Sequence, residues 1–280
     1  MFHFSDDVGS FLTQLILKVT IPATIFLSLI NIESIAQSLL IPVAAFCLQM
    51  LMFFIFLLIS KMRKLSSADE CVTATVPLIA NTLIFMVPFF YLVYGDEGMA
   101  RVIFYYIGNA LTLYIVAPFV YNRYGKKSLN LAANLKNLYT SFPLWAFLLG
   151  LIGNYFGWNL PALVTETCLI LKTANVFLTM FFLGFRFSVC LEAQKLALST
   201  IALKNLLGLI IGILFSFLFV DHLDKAVIIM GAMAPIGVMG LVYSEQYLKT
   251  SSLSPSLVSY SLVIGVIVYP LAMALLQLTS

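Results

Sequence analysis

The chain has 280 residues, 62% of them apolar, and 27 carry charge (15 Lys and Arg, 12 Asp and Glu). Soluble domains are roughly one quarter charged and about 45–50% apolar, and the mean hydropathy here is +1.05. This excludes a soluble enzyme, a disordered chain and a nucleic-acid binder reliant on a basic surface. The formal charge of +3 is too small to call for a polyanionic partner. An all-α polytopic membrane protein remains.

In chain order, the first ten residues hold Asp6 and Asp7 and no Lys or Arg. A cleaved signal needs a basic segment before its apolar core, so none is read. Charge-poor runs long enough to cross about 30 Å of hydrocarbon then predict nine spans. They lie near 11–30, 37–60, 73–93, 99–121, 141–157, 163–185, 199–220, 226–246 and 256–278. The runs are continuously apolar rather than alternating, which excludes a β-barrel. The turn Gly157-Trp158-Asn159-Leu160-Pro161 separates the fifth from the sixth.

Basic residues in short loops set orientation. The loops 61–72, 122–140, 186–198 and 247–255 hold ten: Lys61, Arg63, Lys64, Arg123, Lys126, Lys127, Lys136, Arg186, Lys195 and Lys249. The opposite loops hold Arg101 and Lys225, beside Asp96, Glu97, Asp221 and Asp224. The basic side is read as cytoplasmic, with the N-terminus inside and the C-terminus outside. The cell membrane, a bacterial inner membrane, is the expected location.

Cys47, Cys71, Cys168 and Cys190 form no CxxC, and His3 and His222 are the only histidines. No metal site or cofactor is expected. The chain holds no HExxH, no GxSxG and no paired intramembrane aspartates, so an enzyme is not expected.

The spans centred near 20, 48, 83 and 110 match those near 174, 209, 236 and 267, in order and in opposite sense. Lys18 and Lys172 stand 154 residues apart, as do Asn81 and Pro235. This reads as an inverted repeat, a signature of secondary transporters. Residues 1–121 form a first repeat of four spans, 122–140 a cytoplasmic linker and 141–280 a second repeat of five. The span at 141–157 lacks a counterpart, which would fall before Met1. Either the first helix is lost or the start trims it.

Such proteins bind substrate where spans are broken near mid-depth. The third span carries Pro77, Asn81-Thr82 and Pro88. The eighth carries Gly231, Ala234-Pro235-Ile236-Gly237 and Gly240. Crossing of the two breaks would aim half-helix N-termini, which favour anions, at one region. Asn81, Thr82, Pro235 and Gly237 are therefore the predicted substrate-binding residues. The Asn81 amide both donates and accepts, and it could equally cap the broken backbone. Lys18, Lys172 and Glu245 are candidate charge partners, since charge inside a span is costly and often functional. Lys204 is expected to snorkel, Glu166 to be interfacial, and Asn109 and Asn175 to bond between helices. Tyr105 and Tyr106 are expected to pack rather than to bind.

Asn81-Thr82 with Pro88 and Tyr94-Gly95-Asp96-Glu97-Gly98 resembles the first crossover of the auxin efflux carrier family. Ala232-Met233-Ala234-Pro235 with Ser244-Glu245-Gln246-Tyr247 resembles its second. Pro22-Ala23-Thr24-Ile25-Phe26 and Phe181-Phe182-Leu183-Gly184-Phe185 are similar to the family's second and seventh helices. The resemblance, to the bacterial type, covers nearly the whole chain and omits the family's first helix. It implies two inverted fives, a core built on the crossovers and a scaffold of the remaining helices. It also implies transport of organic anions such as carboxylates by alternating access. Leu83 and Val87 depart from glycines common in the family. H+ or Na+ is the expected coupling ion, the bilayer the environment, and a homodimer is compatible. A sodium-coupled bile-acid-type symporter and a non-transporting membrane paralogue are the alternatives.

Overall fold

The computed structural model describes residues 6–32, 38–125, 136, 138–185, 193–248 and 253–278. Lys126, Lys127, Arg186, Lys249, His3 and Cys190, and most of the linker, lie outside them. The described residues form helices throughout, with one isolated β-bridge.

The helices are α1 (Asp6–Leu15), α2 (Ile21–Ile30), α3 (Leu40–Met62), α4 (Ser67–Thr75), α5 (Val87–Leu111), α6 (Ala117–Gly125), α7 (Phe142–Tyr155), α8 (Ala162–Phe185), α9 (Gln194–Ser216), α10 (His222–Met233), α11 (Met239–Tyr243) and α12 (Leu253–Leu278). Wider π turns join several of them, at Ile16–Thr20, Thr82–Met86, Thr112–Val116 and Ser244–Leu248. Six described helical segments are long and apolar enough to span a bilayer, and Phe142–Tyr155 is a shorter apolar one. The nine runs of the sequence map onto these unevenly. Residues 73–93 and 226–246 are divided into short pieces, and 82–125 is helical on both sides of a turn at Gly95.

Outward faces are apolar. Leu58, Ile170, Phe177 and Leu214 are all more than half exposed. Surface like this is stable in hydrocarbon and a liability in water. The protein is a multi-pass helical membrane protein.

Local chemistry sets the ends. Ser66 caps α4 by accepting from the Asp69 N–H, and Asp221 caps α10 by accepting from Leu223 and Asp224 N–H groups. Pro143 lies in the first turn of α7, where a missing N–H costs nothing, whereas Pro22 and Pro88 follow directly on π turns. Gly95, at φ 63° and ψ −148°, turns the chain inside α5. That backbone region is essentially closed to residues with a Cβ.

Two packing groups result. The π turn before α2, α2 itself, α7 and α8 pack together, and α3–α6 pack with α9–α12. Within the second group α9 and α10 approach backbone to backbone. A Cβ on Gly208 would stand 2.6 Å from the Ala232 carbonyl oxygen, and one on Gly212 2.9 Å from the Ile229 Cα.

Candidate functional site

Both proline-bearing stretches lose their helix. In the first, Val76–Leu78 is a 3₁₀ turn, Ile79 is non-helical (φ −121°, ψ 62°), and helix resumes at Thr82. Pro88 has no N–H to give the Ile84 carbonyl, and the turn before it widens to a π turn, Thr82–Met86. In the second, Ala234 adopts φ −52°, ψ 140°. This is the extended geometry that a following proline imposes by crowding the residue before it.

The two breaks are bonded to each other. The Asn81 N–H donates to the Pro235 carbonyl, and the Gly237 N–H to the Ile79 carbonyl, each at 2.8 Å. Ala80 and Ile236 form an antiparallel bridge between them. Broken helices in lipid must re-satisfy their freed groups, and these two do so partly by pairing.

The remaining freed groups are met by side chains. Asn109 Nδ2 donates to the Ala80 carbonyl at 3.2 Å and to Thr82 Oγ1 at 3.3 Å. The Thr112 hydroxyl lies 3.1 Å from the Leu78 carbonyl and also reaches Gln49 Oε1. On the second break, the Ile236 N–H donates to Ser261 Oγ at 3.0 Å. Tyr269 Oη donates to the Met230 carbonyl at 2.7 Å. Lys204 Nζ donates to the Ala232 carbonyl at 3.3 Å and to that of Ala234.

A cavity of about 610 Å³ lies against this junction, within the several-hundred-Å³ range of ligand sites. Asn81, Thr82, Gly237, Lys18 and Glu245 all line it, with Asn109. The Asn81 side chain makes no capping bond to the helix that it precedes, so its amide stands at the cavity wall. Asn109 Oδ1 is buried without a partner. Lys18 is exposed in the cavity, with Nζ 3.1 Å from Gln14 Oε1.

Two predicted residues are placed elsewhere. Pro235 gives its carbonyl to the junction but is absent from the cavity wall. Lys172 is 3% exposed; its ammonium pairs with the Asp96 carboxylate and lies 5.2 Å from the centre of the Tyr91 ring. Glu166 is exposed. Asn175 Oδ1 accepts from Thr20 Oγ1 at 2.7 Å, a bond between helices. Tyr105 is fully buried in packing, whereas Tyr106 also lines the cavity.

The expectation that Lys204 snorkels is overturned. Its side chain is 2% exposed and turned inward. It stands ten residues into α9, about 15 Å from that helix's start, too deep for its stem to reach water, while the carbonyls of α10 are near. The sequence also concealed an ionic cluster. Arg101 Nε lies 2.7 Å from Asp224 Oδ1, with Asp221 at 3.5 Å and Glu97 at 3.6 Å. A lone Arg facing an Asp-rich helix start was the available signal, but the pair is 123 residues apart.

No protein-family model matches the chain. The chain is 25% identical over 257 residues to an uncharacterized transporter of Methanocaldococcus jannaschii, covering 86% of this chain and 81% of that protein. It is 30% identical over 182 residues to an uncharacterized transporter of Methanothermobacter thermautotrophicus, covering 64% of this chain and 59% of that protein.

Proposed function

We propose that the protein is a secondary transporter that moves a small organic anion, such as a carboxylate, by alternating access. The carrying observation is the backbone-paired junction of two broken helices beside a cavity. Breaking a helix in lipid exposes groups that hydrocarbon cannot satisfy, so two breaks at one point serve a polar task there. Two archaeal relatives named as transporters support the same reading.

In this reading the Asn81 amide and Thr82 hydroxyl hydrogen-bond a carboxylate at the junction, beside the Gly237 backbone. Lys18 supplies the positive charge of the entrance, and Glu245, which lines the same cavity, serves as a proton carrier or counter-charge. Thr140 and Ser141, which follow the basic linker, also line the cavity. In this reading the cavity opens to the cytoplasm, with the N-terminus inside. Nine crossings, an inverted repeat of four and five spans, and the auxin efflux carrier-like lineage belong to the same proposal.

Counterflow in proteoliposomes tests it. Vesicles loaded with one carboxylate should accumulate the labelled compound against a panel of mono- and dicarboxylates. Equal uptake in protein-free and protein-containing vesicles across the panel would sink the reading and leave a non-transporting membrane protein.

A further inference from the structure

Lys204 stands in an unusual position for a buried cation. Its helix and the helices packed on it, α3, α10 and α12, carry one acidic residue among them, Asp224. Asp224 is ten residues from Ala234, about 15 Å along α10, and pairs with Arg101. Among the described residues no carboxylate pairs with Lys204. Its Nζ is held instead by the C-terminal carbonyls of α10, the negative end of that helix.

Satisfying those carbonyls does not require a charge. The other break meets its freed carbonyls with the Asn109 amide and the Thr112 hydroxyl, both neutral. Burying an ammonium costs several kcal/mol more than burying such groups. The second break therefore has the makings of a cation site: half-helix C-terminal carbonyls of the kind that hold Na+ in transporters, with a positive charge already in place. Gly208 brings α9 against the same carbonyls, since any side chain there would meet the Ala232 oxygen.

We propose that the Lys204 ammonium is the resident ion of a monovalent-cation site formed by the Ala232 and Ala234 carbonyls, tethered where other carriers would bind Na+. Its functional consequence rests on the reading of the junction as a transport site: flux runs without Na+. The site itself does not depend on that reading and is tested through stability.

Purified wild-type protein and Lys204→Ala are melted in 200 mM NaCl, LiCl, KCl or N-methylglucamine chloride. The wild type should melt identically in all four. Lys204→Ala should melt lower in N-methylglucamine and rise by about 5 °C or more in one alkali salt. A cation-specific rise in the wild type overturns the proposal, and so does a folded Lys204→Ala that ignores the cation. Lys204→Gln, which keeps a neutral donor, is the second variant. Wild-type stability in Lys204→Gln, with no alkali response, would show plain hydrogen bonding and overturn the proposal. Folding of either variant only in alkali salt supports it; folding of neither in any salt overturns it. A failed counterflow assay leaves these melting results untouched.

Discussion

The Thr20 hydroxyl donates to Asn175 Oδ1 at 2.7 Å, joining positions 155 residues apart, almost the spacing at which the two halves of the sequence match. Both residues are fully buried, and Asn175 Nδ2 has no partner. The bond ties the π turn before α2 to α8. Thr20→Val keeps the shape and strands the amide oxygen. Intramembrane bonds of this kind average about 0.6 kcal/mol and reach about 1.7, so the melting temperature should fall by about 2–5 °C. Thr20→Val with Asn175→Leu should recover most of it, because no polar group is then stranded. A double variant less stable than the single one would contradict this account.

Asn81→Ala should reduce counterflow by about tenfold or more, the worth of one hydrogen bond to a charged group. Membrane yield and melting temperature should stay near wild type. The junction bond comes from the Asn81 backbone, which the substitution retains, and the lost amide makes no capping bond. Wild-type flux in this variant would remove Asn81 from the site.

Gly231 faces the Tyr105 ring so closely that a Cβ would lie 2.3 Å from it. Tyr105 is fully buried and its Oη accepts from Gln49 Nε2 at 3.3 Å. Gly231→Ala should therefore push α10 away from α5 and cost about 1–3 kcal/mol. Thermal unfolding checks it, and Gly231→Ala on a Tyr105→Leu background should cost less than on the wild type.

How much of this was legible depended on the range of the cause. Both breaks were visible because proline acts on its own chain: Pro235 forces Ala234 out of the helical region and Pro88 widens the turn before it. Asn81, Thr82 and Gly237 stand at those breaks, on the cavity wall, for the same reason. What stayed hidden lies between helices. Lys204 reads as a snorkelling residue until α10 brings its carbonyl ends alongside. The partner of Lys172 is Asp96, 76 residues away, and nothing in the spacing of either residue announces the other. The turn inside α5 falls at Gly95, between the runs near 73–93 and 99–121, at a glycine that the sequence shows.

The Arg101–Asp224 pair joins α5 to the start of α10, with side-chain exposures of 8% and 3%. Removing one member of a buried pair strands the other, at about 3–5 kcal/mol. Arg101→Met should be the most destabilising single change outside the junction, and Arg101→Met with Asp224→Leu should restore much of the loss. Glu97→Gln should change little, since that carboxylate is two-thirds exposed at 3.6 Å and exposed pairs contribute little. The three melting curves check the ranking.

Lys18 and Lys172 occupy matched positions in sequence and unlike places in the fold. Lys18 is exposed in the cavity with a neutral partner, Gln14. In the proposed transport reading its charge acts on an entering anion. Lys172 is buried and already neutralised by Asp96, under the Tyr91 ring. Lys18→Gln should therefore raise the KM for an anionic substrate about tenfold with little change in melting temperature, as expected for the loss of ~1.4 kcal/mol of binding. Lys172→Met should do the reverse, lowering the melting temperature and leaving the KM near wild type. Salt sharpens the contrast: ionic strength should mask the Lys18 effect, because an exposed charge is screened beyond about 8–10 Å. The buried Lys172 contact should feel salt far less. Equal KM effects from the two substitutions would mean that both lysines see the substrate, and would overturn this assignment of roles.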